Sequence, residues 1–88
     1  MPPNQILPVK KSAHKNMTGE QIRLIRIFRS PPLSQADLAK CLHRHGITLD
    51  QGAISRIENR SRNVSDHELF AIAKCLGVPV EQLFRRPH

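Results

Sequence analysis

The chain has 88 residues, which is enough for one small domain with a single core, and we expect no separate catalytic or sensor domain. Fourteen lysines and arginines outnumber seven acidic residues, and the net charge of +7 favours a polyanionic partner, either nucleic acid or an anionic membrane surface. Because the chain has three phenylalanines but neither tyrosine nor tryptophan, a platform that stacks single-stranded bases is disfavoured.

The hydropathy pattern and the cysteines bear on the location of the protein. No apolar run is long enough to span a bilayer, and the N-terminal segment lacks the apolar core of a secretory signal. Cys41 and Cys75 lie far apart in the chain and match no disulfide framework, so we expect both to stay unpaired. Together these observations predict a protein of the reducing cytoplasm.

The N-terminal segment differs in composition from the rest of the chain. Residues 1–16 contain three prolines, three lysines and no acidic residue, which predicts a flexible basic tail before a domain over residues 17–86. Thr18 and Gln21 have the spacing of a capping box and predict the start of a first helix with two isoleucines on one face. Pro31 must follow the end of that helix.

Two further helix starts come next. Ser34 predicts the beginning of a second helix, for which Gly46 is the natural C-terminal stop. Asp50 is placed to cap a third helix over residues 51–59. The residues that we expect on the buried side of this third helix are Ala53, Ile54 and Ile57.

The last part of the domain has the clearest helical periodicity. Ser65 and Glu68 have capping-box spacing, and apolar residues then recur at helical intervals until Gly77, which predicts a fourth helix. Pro79 suits the first turn of a short fifth helix. The apolar residues of that helix are Val80, Leu83 and Phe84. No segment alternates with period two, so the pattern predicts a compact all-α domain of five helices.

The third predicted helix has the composition of a DNA-reading helix. Its outward positions are polar or small, with Arg56 suited to guanine and Gln51 suited to adenine. A solvated surface helix would show the same polar face. The DNA-binding interpretation is favoured over a solvated surface helix because Gln35 lies at a helix start, where backbone N–H groups favour phosphate. Arg60 and Arg62 follow in a turn from which they could reach flanking phosphates.

Three segments carry a resemblance to a known family. Residues 33–39 (LSQADLA), 53–59 (AISRIEN) and 69–78 (LFAIAKCLGV) resemble the Cro and phage-repressor (XRE) family of helix-turn-helix domains, and the likeness extends over about residues 17–84. The resemblance implies sequence-specific binding to double-stranded DNA by a transcriptional regulator, usually a repressor. It also implies a homodimer on two-fold related half-sites, acting without a cofactor.

The resemblance also implies individual roles. The positions implied at base edges are Gln51, Gly52, Ser55 and Arg56, and those implied at the DNA backbone are Gln35, Asn59, Arg60 and Arg62. Gln35 is expected to brace Gln51. Glu58 is expected to form a structural ion pair with Arg26, or with Arg29 as the alternative. The second helix and the connector after it are longer than is usual in the family.

Other functions find less support. An antitoxin that binds both operator DNA and a toxin is the main alternative, although no long partner-wrapping segment follows the fifth helix. A basic protein on anionic membranes would also place arginines beside an apolar stripe, but that stripe is better explained as core. No nucleophile elbow, phosphate loop or close carboxylate pair is present, so we expect no catalysis.

A metal site is weighed on the cysteines and histidines. Cys41, His43 and His45 lie at alternate positions, with Cys75 elsewhere in the chain. Because successive residues of this spacing leave a helix about 200° apart, the first three cannot converge on one ion. The sequence therefore predicts no metal and no other cofactor.

Overall fold

A computed structural model describes residues 17–84 of the chain. The predicted basic tail and the last two residues of the predicted domain lie outside this range. Within it the elements, in order, are α1 (Gly19–Phe28), α2 (Gln35–Arg44), α3 (Gln51–Glu58), α4 (Asp66–Leu76) and a 3₁₀ helix (Val80–Phe84). The described residues contain no strand, so the all-α prediction is confirmed for this part of the chain. The fifth predicted helix is a single 3₁₀ segment and not an α-helix.

Two of the predicted helix starts are formed by short polar side chains. The Ser34 hydroxyl accepts a hydrogen bond from the backbone N–H of Asp37 at 2.9 Å, and a carboxylate oxygen of Asp50 accepts one from Ala53 at 2.8 Å. Both capping residues have extended backbone angles, which turn the side chain back towards the N–H groups left without partners at a helix start. These two caps fix where α2 and α3 begin.

The start of α4 is a complete capping box. The Ser65 hydroxyl accepts from the backbone N–H of Glu68 at 3.2 Å, and the Glu68 carboxylate accepts from the backbone N–H of Ser65 at 2.9 Å. The helix ends at Gly77, whose φ of 76° is a left-handed conformation that costs glycine little. Both ends of α4 are therefore set by local residues, as predicted.

The start of α1 differs from its prediction. Thr18 is the residue before the helix, but its side chain makes no capping hydrogen bond, so the predicted capping box is wrong. Its backbone angles (φ −101°, ψ −12°) are close to helical, whereas a capping side chain needs an extended backbone. The Thr18 residue is instead only 2% exposed and belongs to the packed interior.

The core lies where all five elements meet. α2 packs against both α3 and α4, while α1 packs against α3, α4 and the 3₁₀ helix. The most deeply buried apolar side chains are Ile22, Leu38, Leu42, Ile54, Ile57, Ile72 and Leu83. Phe84, one of the apolar residues of the predicted fifth helix, is 47% exposed. Leu83 is the fully buried side chain of the 3₁₀ helix, and Val80 packs against the core while partly exposed.

A disulfide joins α2 to α4. Cys41 and Cys75 are bonded, with their Cα atoms 6.0 Å apart, within the usual range for such a link. The prediction that the two cysteines stay unpaired is therefore wrong. They are 34 positions apart in sequence, but the packing of α2 against α4 brings them together, and this contact between helices has no local signature. The bond also removes one of the observations from which a reducing cytoplasm is predicted.

Candidate nucleic-acid interface

The two sides of α3 have different environments. Ala53, Ile54 and Ile57 are buried, as their spacing predicts, and they attach the helix to the core. Gln51 and Arg56 are exposed on the other side. An α-helix with one packed side and one open polar side can enter a groove without disturbing the fold.

The angle of α3 is fixed by a buried ion pair with α1. The Arg26 guanidinium donates to both carboxylate oxygens of Glu58, at 2.7 and 2.9 Å, and also to the Leu33 carbonyl at 2.9 Å. The Arg26 and Glu58 side chains are only 11% and 3% exposed. Arg29, the alternative partner considered for Glu58, donates to the backbone carbonyl of Cys75 at 3.2 Å. The bidentate geometry holds both the position and the rotation of α3.

The same carboxylate connects α3 to the start of α2. The Gln35 amide donates to Glu58 at 3.0 Å, and its carbonyl oxygen accepts from the Gln51 amide at 3.5 Å. A chain of polar contacts thus runs from the buried Arg26 to the exposed Gln51. The Gln35–Gln51 contact is long for a hydrogen bond and contributes little by itself. The contact between Gln35 and Glu58 is absent from the sequence prediction.

The exposed side chain of Arg56 extends over the first turn of α3. A Cβ atom placed on Gly52 would lie 3.4 Å from a terminal nitrogen of Arg56 and 3.5 Å from a carboxylate oxygen of Asp50. A terminal nitrogen of the guanidinium therefore lies next to a residue that has no side chain. This arrangement presents a flat donor group beside bare backbone at the N-terminal end of the helix. Ser55, also predicted at base edges, is half-buried.

The turn after α3 contains three of the predicted DNA-backbone residues. The Asn59 side-chain carbonyl accepts from the backbone N–H of Ser61 at 3.0 Å, so one end of that side chain shapes the turn. Arg60 has a φ of 67°, a left-handed conformation that is unfavourable for a residue with a side chain. The sequence predicts a turn here. It does not indicate that an arginine occupies a left-handed position at which glycine is the usual residue.

The third of these residues, Arg62, is paired within the domain. Its guanidinium donates to the two carboxylate oxygens of Glu68 at 3.2 and 3.3 Å and to the Asn63 carbonyl at 2.8 Å. Burial by itself raises the pKa of Glu68, but the hydrogen bonds from Arg62 and Ser65 and the Arg62 charge outweigh it, and the pKa falls below its usual 4.5. Glu68 therefore caps α4 and anchors the turn after α3 at once.

The positive charge is distributed unevenly along the chain. Nine of the fourteen basic residues and all seven acidic residues fall within 17–84, so this part carries a net charge of +2 out of +7. The remaining +5 comes from residues outside that range. Non-specific attraction to a polyanion is therefore expected to depend strongly on the residues outside 17–84.

A comparison with protein families adds to this geometry. The family model described as helix-turn-helix matches residues 33–83, which is more than half of the chain. The chain belongs to the helix-turn-helix family. Its domain is of the Cro and phage-repressor (XRE) type that the resemblance indicates, a type used by DNA-binding transcription regulators. Neither curated proteins nor solved structures gave a significant match to the chain.

Family membership assigns positions to the elements. By position, α2 is the first helix of the motif and α3 is the second, and in proteins of this family the second helix is the one that reads the major groove. The matched region begins at the residue before the α2 cap and ends within the 3₁₀ helix, so α1 lies outside it. α1 nevertheless supplies Arg26 to the motif. No helix within residues 17–84 has the length and apolar character needed to cross a bilayer.

Proposed function

We propose that the protein regulates transcription by binding specific sites in double-stranded DNA, with α3 in the major groove. The observation that supports this most is the open polar side of α3, held at a fixed angle by the Arg26–Glu58 pair. A recognition helix must not rotate when it meets a base edge, because a small rotation misplaces its donors. The ion pair and the contact from Gln35 supply that rigidity.

The base contacts are assigned by donor and acceptor chemistry. Arg56 presents a fork of donors that suits the O6 and N7 acceptors of guanine, and the Gln51 amide suits the N6 and N7 pattern of adenine. Gly52 lies beside both on the exposed side and lets the helix approach the bases closely. Ser55, which is half-buried, is assigned a smaller share of the recognition.

The phosphate contacts are assigned by charge and position. Arg60 is the strongest candidate because its backbone N–H, which donates to the Ile57 carbonyl at 3.1 Å, holds it in the turn and its guanidinium can then turn towards phosphate. Gln35 lies at the N-terminus of α2, next to N–H groups that favour phosphate. Asn59 contributes from the same turn. Arg62 would have to share its guanidinium with Glu68, so its contribution is expected to be smaller.

The proposed mechanism is occupancy of an operator, most simply as a repressor, with no chemical step and no cofactor. Because the proposed ligand is cellular DNA, the proposed location is the cytoplasm. A homodimer would match two-fold related half-sites one helical turn apart. Phe28 and Phe84 are 79% and 47% exposed and offer apolar surface for a second subunit, or for a toxin if the protein is an antitoxin.

Selection from a random library of duplexes tests this proposal. The full chain should enrich a two-fold symmetric consensus that contains guanine in each half-site, since Arg56 is the strongest base-reading group. Sedimentation of the purified complex should then give two chains per consensus duplex. A pool that shows no enrichment over its starting composition would contradict sequence-specific binding. One chain per duplex would contradict the homodimer. The exposed Phe28 and Phe84 would then be assigned to contact with a different protein.

A further inference from the structure

A cluster of potential metal ligands joins the C-terminal end of α2 to α4. Cys41 and His45 are four residues apart at the C-terminal end of α2, so their side chains leave the helix on one face. Cys75 comes from α4 and meets them. One ligand atom from each of the three residues lies within 4.8 Å of the others.

This cluster differs from the set of three α2 residues that the sequence pattern excluded as metal ligands. His43 lies two positions from both Cys41 and His45, a spacing at which side chains leave a helix about 200° apart, and it is not a member of the cluster. Its place is taken by Cys75, which is 34 positions from Cys41 in sequence and arrives through helix packing. The spacing argument is therefore sound for α2 alone, but it cannot anticipate a ligand from α4.

We propose that Cys41, His45 and Cys75 bind one Zn²⁺ ion when the two cysteines are reduced. Two thiolates and an imidazole are the ligand types that Zn²⁺ prefers, with bonds of about 2.3 Å to sulfur and about 2.0 Å to nitrogen. Ligands on one tetrahedral ion are then roughly 3.5 to 4 Å apart, so the two sulfurs must separate after reduction, while the His45 ligand atom already lies within 4.8 Å of both.

The surroundings leave a position open for a fourth ligand. His45 is exposed and Cys75 is buried, so the cluster extends from the interior to the surface. A surface hollow of about 350 Å³, lined by His45, Phe70, Ala71 and Lys74, opens beside it. Ala71 lies one turn before Cys75 on α4, and its small side chain keeps that side uncrowded. Water is the expected fourth ligand in a single subunit.

The disulfide and the metal site exclude each other. Reduction by a dithiol or a phosphine breaks the S–S bond, adds one electron to each sulfur and, with two protons, yields two thiols. Binding of Zn²⁺ to the two thiols and His45 then releases both thiol protons to solvent. The two states connect the same helices, α2 and α4, by a covalent bond in one case and by a metal in the other.

The test uses the reduced full chain with Co²⁺ as a spectroscopic probe. We expect one Co²⁺ per chain, with a thiolate-to-cobalt charge-transfer band and the intense visible bands of tetrahedral coordination, and both should disappear when Zn²⁺ is added. Chain in which the disulfide has been kept intact should show neither band. A reduced chain that is folded by circular dichroism and yet develops no charge-transfer band would overturn the proposal.

Variants separate this cluster from other histidines. His45→Ala should weaken Co²⁺ binding at least about tenfold. It should still fold, because the cap at His45 is made by its backbone N–H to the carbonyls of Leu42 and His43. The matched control His43→Ala removes an exposed histidine of the same helix and should bind as the wild type does. Cys75→Ala should remove most of the charge-transfer intensity. Equal affinity in the His45 variant and the wild type, or equal losses in the two histidine variants, would contradict the assignment.

Discussion

The buried and exposed sides of α3 differ in how much their polar contacts contribute to the stability of the fold. On the buried side, the Glu58 carboxylate accepts from Arg26 and Gln35, and loss of either member of the Arg26–Glu58 pair leaves the other charge stranded in the core. On the exposed side, Arg56 and Gln51 contribute little to the fold because water can replace their contacts. Stability and the proposed site recognition should therefore change separately within one helix of eight residues.

The largest expected effect is on the buried side. Glu58→Ala strands the Arg26 guanidinium and should lower the free energy of unfolding by about 3–5 kcal/mol. Urea unfolding at neutral pH measures this. Glu81→Ala removes an exposed carboxylate from the 3₁₀ helix and is the matched control, with an expected change within about 0.5 kcal/mol. Similar stability of the Glu58 variant and the wild type would show that the pair does not hold the helix.

The turn after α3 should show stability and binding moving in opposite directions. Arg60→Gly relieves a left-handed conformation and should raise the free energy of unfolding by about 1 kcal/mol, while DNA affinity falls because a cation is lost. Arg60→Ala is the matched control, because it removes the same charge and retains the strain. It should lose a similar amount of DNA affinity without gaining stability. A glycine variant that unfolds more easily than the wild type would contradict this account of the turn.

At the start of α3 we expect a smaller change in which stability again rises while DNA affinity falls. A Cβ on Gly52 meets only ordinary contacts, so Gly52→Ala should stabilise the helix by about 0.5–1 kcal/mol. The added methyl group would nevertheless occupy space between α3 and the bases, so affinity for the selected duplex should fall. Parallel urea unfolding and duplex titration measure the two changes. Improvement of both quantities would mean that Gly52 does not approach DNA.

The smallest expected effect is the pH dependence of the Glu68 contacts. Because the folded-state pKa of Glu68 lies below its ordinary value of 4.5, its charge stabilises the fold above that pH, and this contribution disappears as the pH falls through the folded-state pKa. The gap in stability between the wild type and Glu68→Gln should therefore narrow on acidification. Asp66→Asn, which removes an exposed carboxylate from the same helix turn, serves as the control. If the difference in stability between the wild type and Glu68→Gln stays constant down to acidic pH, the Glu68 charge does not stabilise the fold.

Local features of the fold could be predicted from the sequence. The caps at Ser34, Asp50 and Ser65 depend on side chains three residues from the N–H groups that they accept from, so their spacing is sufficient evidence. The burial of Ile54 and Ile57 follows from helical periodicity in the same way. The family resemblance supplied the positions that a recognition helix uses.

Contacts between distant helices could not be predicted in this way. The Cys41–Cys75 bond and the Arg62–Glu68 pair depend on how α4 packs beside α2 and the turn after α3. Thr18 has the spacing of a capping residue, but burial and a near-helical backbone prevent it from acting as one. Tertiary packing decides whether each of these contacts or caps forms. The spacing of the residues along the chain does not reveal how the helices pack.

The central claim is that Arg56 reads a base and does not merely attract DNA. The direct measurement is the ratio of affinities for the selected duplex and for a random duplex, in Arg56→Ala and in the charge-matched control Arg23→Ala, which changes an exposed residue of α1. Arg56→Ala should cost about 1–3 kcal/mol on the selected duplex and clearly less on the random one, so the ratio falls while the melting temperature is unchanged. Arg23→Ala should leave the ratio as it is. If Arg56→Ala weakens both duplexes equally, or unfolds the domain, α3 does not present this arginine to the bases.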